Sequence, residues 1–91
     1  MSSLVKQSIV FDGHMPSRGV NLRRDQLQLE SAFNEAFSRS RYRPKIKAVG
    51  DIRVIENGKT FMIDITFEGS LDEGADFQIY VGSVFKKHGL R

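Results

Sequence analysis

At Pro44 the spacing of apolar residues changes period, and that change constrains this chain more than any other feature. Before it, Leu29, Ala32, Phe33, Ala36 and Phe37 recur at i, i+3, i+4, i+7 and i+8, the single apolar stripe of an amphipathic helix. Gln28, Asn34, Glu35 and Ser38 fall elsewhere on the wheel and face water. Asn21 or Asp25 caps the start. The helix must stop before Pro44, because proline disfavours the helical region for the residue preceding it. Arg39 and Arg41 near that end suit the negative pole of the helix dipole.

From Lys45 the period is 2. Ile46, Ala48, Ile52 and Val54 alternate with Lys47, Asp51 and Arg53, and Phe61, Ile63, Ile65 and Phe67 alternate with Met62, Asp64, Thr66 and Glu68. Between these runs lies Asn57-Gly58, the pair preferred where a type I′ turn needs positive φ at both central residues. A two-residue loop there pairs Glu56 with Lys59, which brings Val54 to Phe61, Ile52 to Ile63 and Ala48 to Phe67, all expected as core-face pairs. On the other face Lys47 meets Glu68 favourably, but Asp51 meets Asp64. Like charges directly opposite are unfavourable, so a bulge is expected at Gly50.

Lys6 to Phe11 reads as a short first strand with Ile9 and Phe11 on one face. Asp12 to Gly19 is dense in turn formers and reads as an exposed loop. The last element carries two patterns. Phe77, Tyr80, Val81, Val84 and Phe85 fit a helical stripe, with a capping box at Ser70 and Glu73. Phe77, Ile79 and Val81 also alternate as a strand, and their β-branched and aromatic content together with Gly82 favours that second reading. The expectation is one α+β domain spanning 1–91, with one amphipathic helix on a small antiparallel meander in the order β-α-β-β-β.

Ninety-one residues hold one modest core, to which seven Phe contribute large apolar areas. The absence of Cys excludes disulfides, thiolate metal sites and a cysteine nucleophile, and is compatible with a reducing compartment. Met1 to Lys6 lacks the apolar run of a signal peptide, and no stretch approaches the roughly 20 apolar residues of a membrane span, so a cytoplasmic site of synthesis and no membrane partner are expected. His14 and His88 are far apart in sequence and form no metal-ligand spacing. Glu30 and Glu35 point in different directions on the helix, and no glycine spacing cradles a phosphate, so neither an enzyme nor a cofactor is expected.

Charge is uneven although its net value is only +3. Residues 18 to 47 hold Arg18, Arg23, Arg24, Arg39, Arg41, Arg43, Lys45 and Lys47, whereas 60 to 85 hold Asp64, Glu68, Asp72, Glu73 and Asp76 with no base. A domain polarised in this way can be oriented by charged neighbours on two sides. Arg39 to Lys47 also offers an alternative function. In an extended segment its bases form a comb able to track phosphates beside a stacking Tyr42, as in a small nucleic-acid-binding module. With acids at 64–76 and a net charge of +3, weak binding at most is expected.

In order, these features resemble the small baseplate wedge protein of contractile phage tails, from which the tail sheath starts to polymerise. Its counterparts occur in type VI secretion systems. That family's signature is an amphipathic helix ending in Tyr-Glu-Pro-Arg and Ile, then a strand, a turn, a second strand, an acidic loop and a last strand. Here the corresponding run is Tyr42-Arg43-Pro44-Lys45-Ile46, Val49 to Ile55, Phe61 to Phe67, Ser70 to Asp76 and Phe77 to Val81, so the match covers residues 27–83. The motif's glutamate is Arg43, a charge reversal, so a salt bridge made by that glutamate cannot form in the same way. The resemblance implies a virion protein of the tail or baseplate within a hetero-oligomeric assembly of tail or sheath-like proteins. It also implies that Tyr42, Arg43, Pro44 and Lys45 contact neighbours, and that Phe77, Ile79 and Val81 lie on a strand edge completed by a partner.

Overall fold

The strand Thr60–Gly69 organises the rest of the molecule, because it is paired along both of its sides. In the computed structural model, which describes residues 4–91, β1 is Val5–His14, α1 is Leu22–Phe33, β2 is Ile46–Val49, β3 is Arg53–Ile55, β4 is Thr60–Gly69 and α2 is Leu71–Lys87. β1 pairs antiparallel with one side of β4, and β2 and β3 lie end to end along the other. The chain is α+β, with its helices on one face of an antiparallel sheet.

β4 alternates as its sequence demands. Phe61, Ile63, Ile65 and Phe67 are buried, and Met62, Asp64, Thr66 and Glu68 are half-buried on the open face. Ile9 and Phe11 of β1 face the same core, opposite Ile65 and Ile63. Over them lie Leu29, Ala32, Ala36 and Phe37, the stripe expected for the first helix. Asn21 is the N-cap, its side chain accepting from the Arg24 N–H at 3.0 Å. Asp25 has a different task. Its buried carboxylate accepts from the Ser17 N–H, the Ser17 hydroxyl and the Gly19 N–H, tying the preceding loop to α1. Past Phe33 the helix continues as a π-helical segment, Asn34–Ser38.

The hairpin keeps its expected register nearest the turn, where Val54 opposes Phe61, but Ala48, Ile52 and Val54 are exposed rather than in the core, because the helices do not cover this arm of the sheet. Asn57 and Gly58 both have positive φ, and the Lys59 N–H donates to the Glu56 carbonyl. Glu56 is also left-handed, at φ 55°, so the turn begins one residue earlier than the sequence suggests. Further along, Val49 opposes Ile65 and Arg53 opposes Met62, four steps against three on β4. One extra residue is thus absorbed over 50–52, the irregularity expected there. It removes Asp51 from Asp64 and lets Arg53 Nη2 reach Asp64 Oδ2 at 3.4 Å. A second shift lies between Ile46 and Ala48, so Ala48 opposes Thr66 rather than Phe67, and Ile46 takes the Phe67 position.

Two further expectations are corrected. β1 does not end at Phe11 but pairs through His14 with Thr60, because the ladder to β4 outweighs the turn character of Asp12-Gly13-His14. The segment 77–81 is not a strand but the middle of α2, so the element order is β-α-β-β-β-α. The capping box forms in full, with the Glu73 N–H on Ser70 Oγ at 3.1 Å and the Ser70 N–H on Glu73 Oε1 at 3.0 Å. Asp72 and Glu73 stand at its positive end, and Lys86 and Lys87 at its negative end. Phe77, Val81, Val84 and Phe85 then bury one helical face, with the Phe77 ring stacked on Phe67 at 4.8 Å. Burial of four apolar residues outweighs the weak strand propensity of the same residues.

Candidate docking surfaces

The junction after the first helix is built partly as core. Tyr42 is buried, its ring 5.3 Å from Phe77, 5.5 Å from Tyr80 and 6.3 Å from Phe67. Arg41 donates to the Tyr42 hydroxyl at 2.8 Å and places its guanidinium 4.9 Å from the ring centre. Arg43–Lys45 forms a single 3-10 turn, for which the fixed φ of Pro44 is suited. Lys45 Nζ then pairs with Glu73 Oε2 at 2.7 Å. Lys45, followed by the Ser70 N–H, holds the Glu73 carboxyl below its ordinary range. Of the expected junction contacts, Tyr42 and Lys45 are therefore occupied within the chain, and Arg43 and Pro44 project.

The residues expected on a terminal strand edge are dispersed by α2. Phe77 and Val81 are fully buried in the core, and Ile79 lies on the opposite, exposed side of the helix. They cannot form one edge. The basic comb is broken as well, because the 3-10 turn interrupts the extended backbone it needs, and Lys47 turns back to the Pro44 carbonyl at 3.2 Å. Glu35 joins a different group. It takes His88 Nε2 at 3.0 Å and Lys87 Nζ at 3.2 Å, and these contacts, His88 first, lower its pKa. The group pins the π-helical segment to the C-terminal end of α2. Among the described residues no cluster of His, Cys, Asp or Glu is arranged to hold a metal ion, and no helix is long and apolar enough to cross a membrane.

Two surfaces were not singled out by sequence. One is an apolar cleft of about 360 Å³ between α1 and β3, walled by Leu22, Leu29, Ile52 and Val54. Leu22 and Val54 are more than half exposed. The register slip over 50–52 removes Ile52 from the expected ladder and leaves it on this wall. The other surface is the outer edge of β1. It runs for ten residues in unbroken register with β4 and carries no proline. Finding it requires the strand order, which is a non-local property.

No family model, curated protein or solved structure matches the chain.

Proposed function

We propose that this chain is a non-catalytic structural subunit of a phage tail or tail-like baseplate, docking neighbouring components through the junction after its first helix. The observation that carries the reading is the construction of that junction. Tyr42 and Lys45 are fixed by Phe77 and Glu73 of their own chain, and Arg43 and Pro44 are thereby presented on a rigid, exposed 3-10 turn. A preorganised turn loses little conformational freedom when a partner covers it. Helix, Tyr42-Arg43-Pro44-Lys45 and the strands β2 to β4 follow one another in the order of the baseplate signature up to its acidic loop, after which α2 stands where the signature has its last strand. Strand exchange through 77–81 is not part of the proposal, since those residues are helical. The apolar wall of Leu22 and Val54 provides a second contact area of the kind that marks protein interfaces.

The test is mass spectrometry of tail-like particles purified from the organism that encodes the chain. The chain is expected in the particles, and an Arg43→Ala, Val54→Asp double variant is expected to fold, by its circular dichroism, yet remain in the soluble fraction. Absence of the wild-type chain from particles, or full incorporation of the variant, overturns the reading.

A further inference from the structure

The sheet has two edges, and they are built differently. The edge formed by β2 and β3 is interrupted by two register shifts and carries Lys47 and Arg53, the bulges and charges that keep an edge from recruiting another strand. The β1 edge has no such interruption. Its register with β4 runs from Val5 against Gly69 to His14 against Thr60 without a slip.

The direction of the free backbone groups follows from one contact. His14 exchanges backbone hydrogen bonds with Arg91, so its N–H and C=O point away from β4. Direction alternates along an antiparallel ladder, so those of Lys6, Ser8, Val10 and Asp12 point outward too. The far side of β4 agrees. The carbonyl of Asp64, the Cα partner of Val10, accepts from Gly50 on the other side. Among the described residues no other backbone group is bonded to the outward N–H and C=O of Lys6, Ser8, Val10 or Asp12. Arg91 closes the edge at His14, leaving Val5 to Gly13 open, and the midpoint of that run is Ile9.

We propose that the β1 edges of two copies pair antiparallel across a two-fold axis at Ile9, joining both sheets into one. The partner is a second copy because the strand is complementary to itself in this register and no other stated chemistry is needed. Pairing about Ile9 sets Lys6 opposite Asp12 of the other copy, and Asp12 opposite Lys6, so both charged residues of the run meet opposite charges. Neither residue has an ion-pair partner within its own chain among the described residues. The same register sets Ser8 against Val10, and each of these pairs has its N–H and C=O facing inward to the new ladder. Ile9 meets Ile9 at the axis as a close, non-hydrogen-bonded pair on the core side. Moving the axis by one residue to either side would pair Lys6 with Val10 or Ser8 with Asp12, losing the charge match. Beside the edge, α2 presents Gly82 over the cavity it shares with Asp12 and Gly13, and nothing stands within 4 Å of where a Cβ would lie, so the flank is open to a second chain.

This inference goes beyond the assembly reading and uses a different surface, so either can fail alone. The experiment is sedimentation equilibrium of the purified chain, with three variants. The wild type is expected to dimerise. Val10→Pro removes an outward N–H without touching the ladder to β4, a placement edge strands tolerate, and is expected to give a folded monomer. Lys6→Glu places Glu opposite Asp at both ends of the paired run and is expected to weaken dimerisation roughly tenfold. Lys6→Glu with Asp12→Lys restores opposite charges and is expected to recover wild-type affinity, a rescue that holds even if Val10→Pro misfolds. A wild type that stays monomeric to about 100 μM overturns the proposal. So does a dimer indifferent to Lys6→Glu, or a double variant no tighter than the single one. If the edge instead accepts a strand from another protein, the chain alone is monomeric and the second-copy assignment is wrong.

Discussion

Gly82 and Gly74 lie in the same helix, yet replacing each with alanine should have different consequences. Gly82 is exposed in the interior of α2, five residues before its end at Lys87, and a Cβ there meets nothing within 4 Å. Glycine in a helix interior is less favourable than alanine by about 0.8–1.0 kcal/mol, chiefly because of the backbone freedom it gives up. With no steric offset, Gly82→Ala should stabilise the chain by about 0.5–1 kcal/mol, raising Tm by roughly 2–8 °C for a domain of this size. Gly74 is buried, and a Cβ there runs into the Gln7 amide, whose Nε2 donates to the Ser70 carbonyl at 3.1 Å. Gly74→Ala must displace that amide, so its helix-propensity gain is cancelled or reversed. Urea melts followed by helical circular dichroism compare the two variants directly. If Gly82→Ala is neutral or destabilising, residues 77–82 are not in the middle of a helix and the packing of α2 is wrong. If both variants stabilise equally, the contact between α2 and Gln7 is wrong.

Gly58→Val should cost about 1–3 kcal/mol, since it forces a β-branched residue to φ 84°. The added Cβ would also press on Leu22 Cδ2 at 2.9 Å, and a loss below about 0.3 kcal/mol in denaturant melts would refute the turn geometry. Ser70→Ala removes half of the capping box and should cost about 1 kcal/mol, read from the same melts. Acid should destabilise the fold through Glu35 and Glu73. Both have pKa values lowered from the ordinary 4.5, so their contribution is fully present above 4.5 and is lost as pH falls through the lower folded values. Thermal melts from pH 5 down to pH 3 should show a falling Tm, with a shallower slope in a Glu35→Gln, Glu73→Gln variant; equal slopes would refute the assignment.

Local pattern carried the reading wherever one face of one element decides burial. The stripe from Leu29 to Phe37, the alternation from Phe61 to Phe67 and the register of Val54 against Phe61 all depend on neighbours in sequence. The slip over 50–52 was legible as well, because the repulsion between Asp51 and Asp64 can be worked out from the hairpin alone. The readings that went wrong needed distant partners. Asp12-Gly13-His14 has the composition of a turn, and only pairing with Thr60 to Met62 makes it strand. Phe77, Ile79 and Val81 alternate, but the stripe Phe77-Val81-Val84-Phe85 meets Phe11, Phe61 and Phe67, and that aromatic layer selects the helix. The capping box at Ser70 and Glu73 was the local clue to it. Among the expected contact residues, Tyr42 read as a surface aromatic because its burial is created by α2, an element misassigned in the same reading.

The position of β4 between β1 and the β2–β3 arm also sets a timetable. During synthesis β1 leaves the ribosome before its partners, Thr60 to Gly69, so it cannot form its ladder until those residues have emerged. Closing that long loop is the slowest kind of contact to make, whereas β3, the turn and β4 are adjacent and can meet as soon as they are made. Throughout the interval Ile9 and Phe11 are unburied on a nascent segment whose one partner strand has not yet been made. The segment left open along one side in the folded molecule is thus the one left open along both sides while the chain is being made.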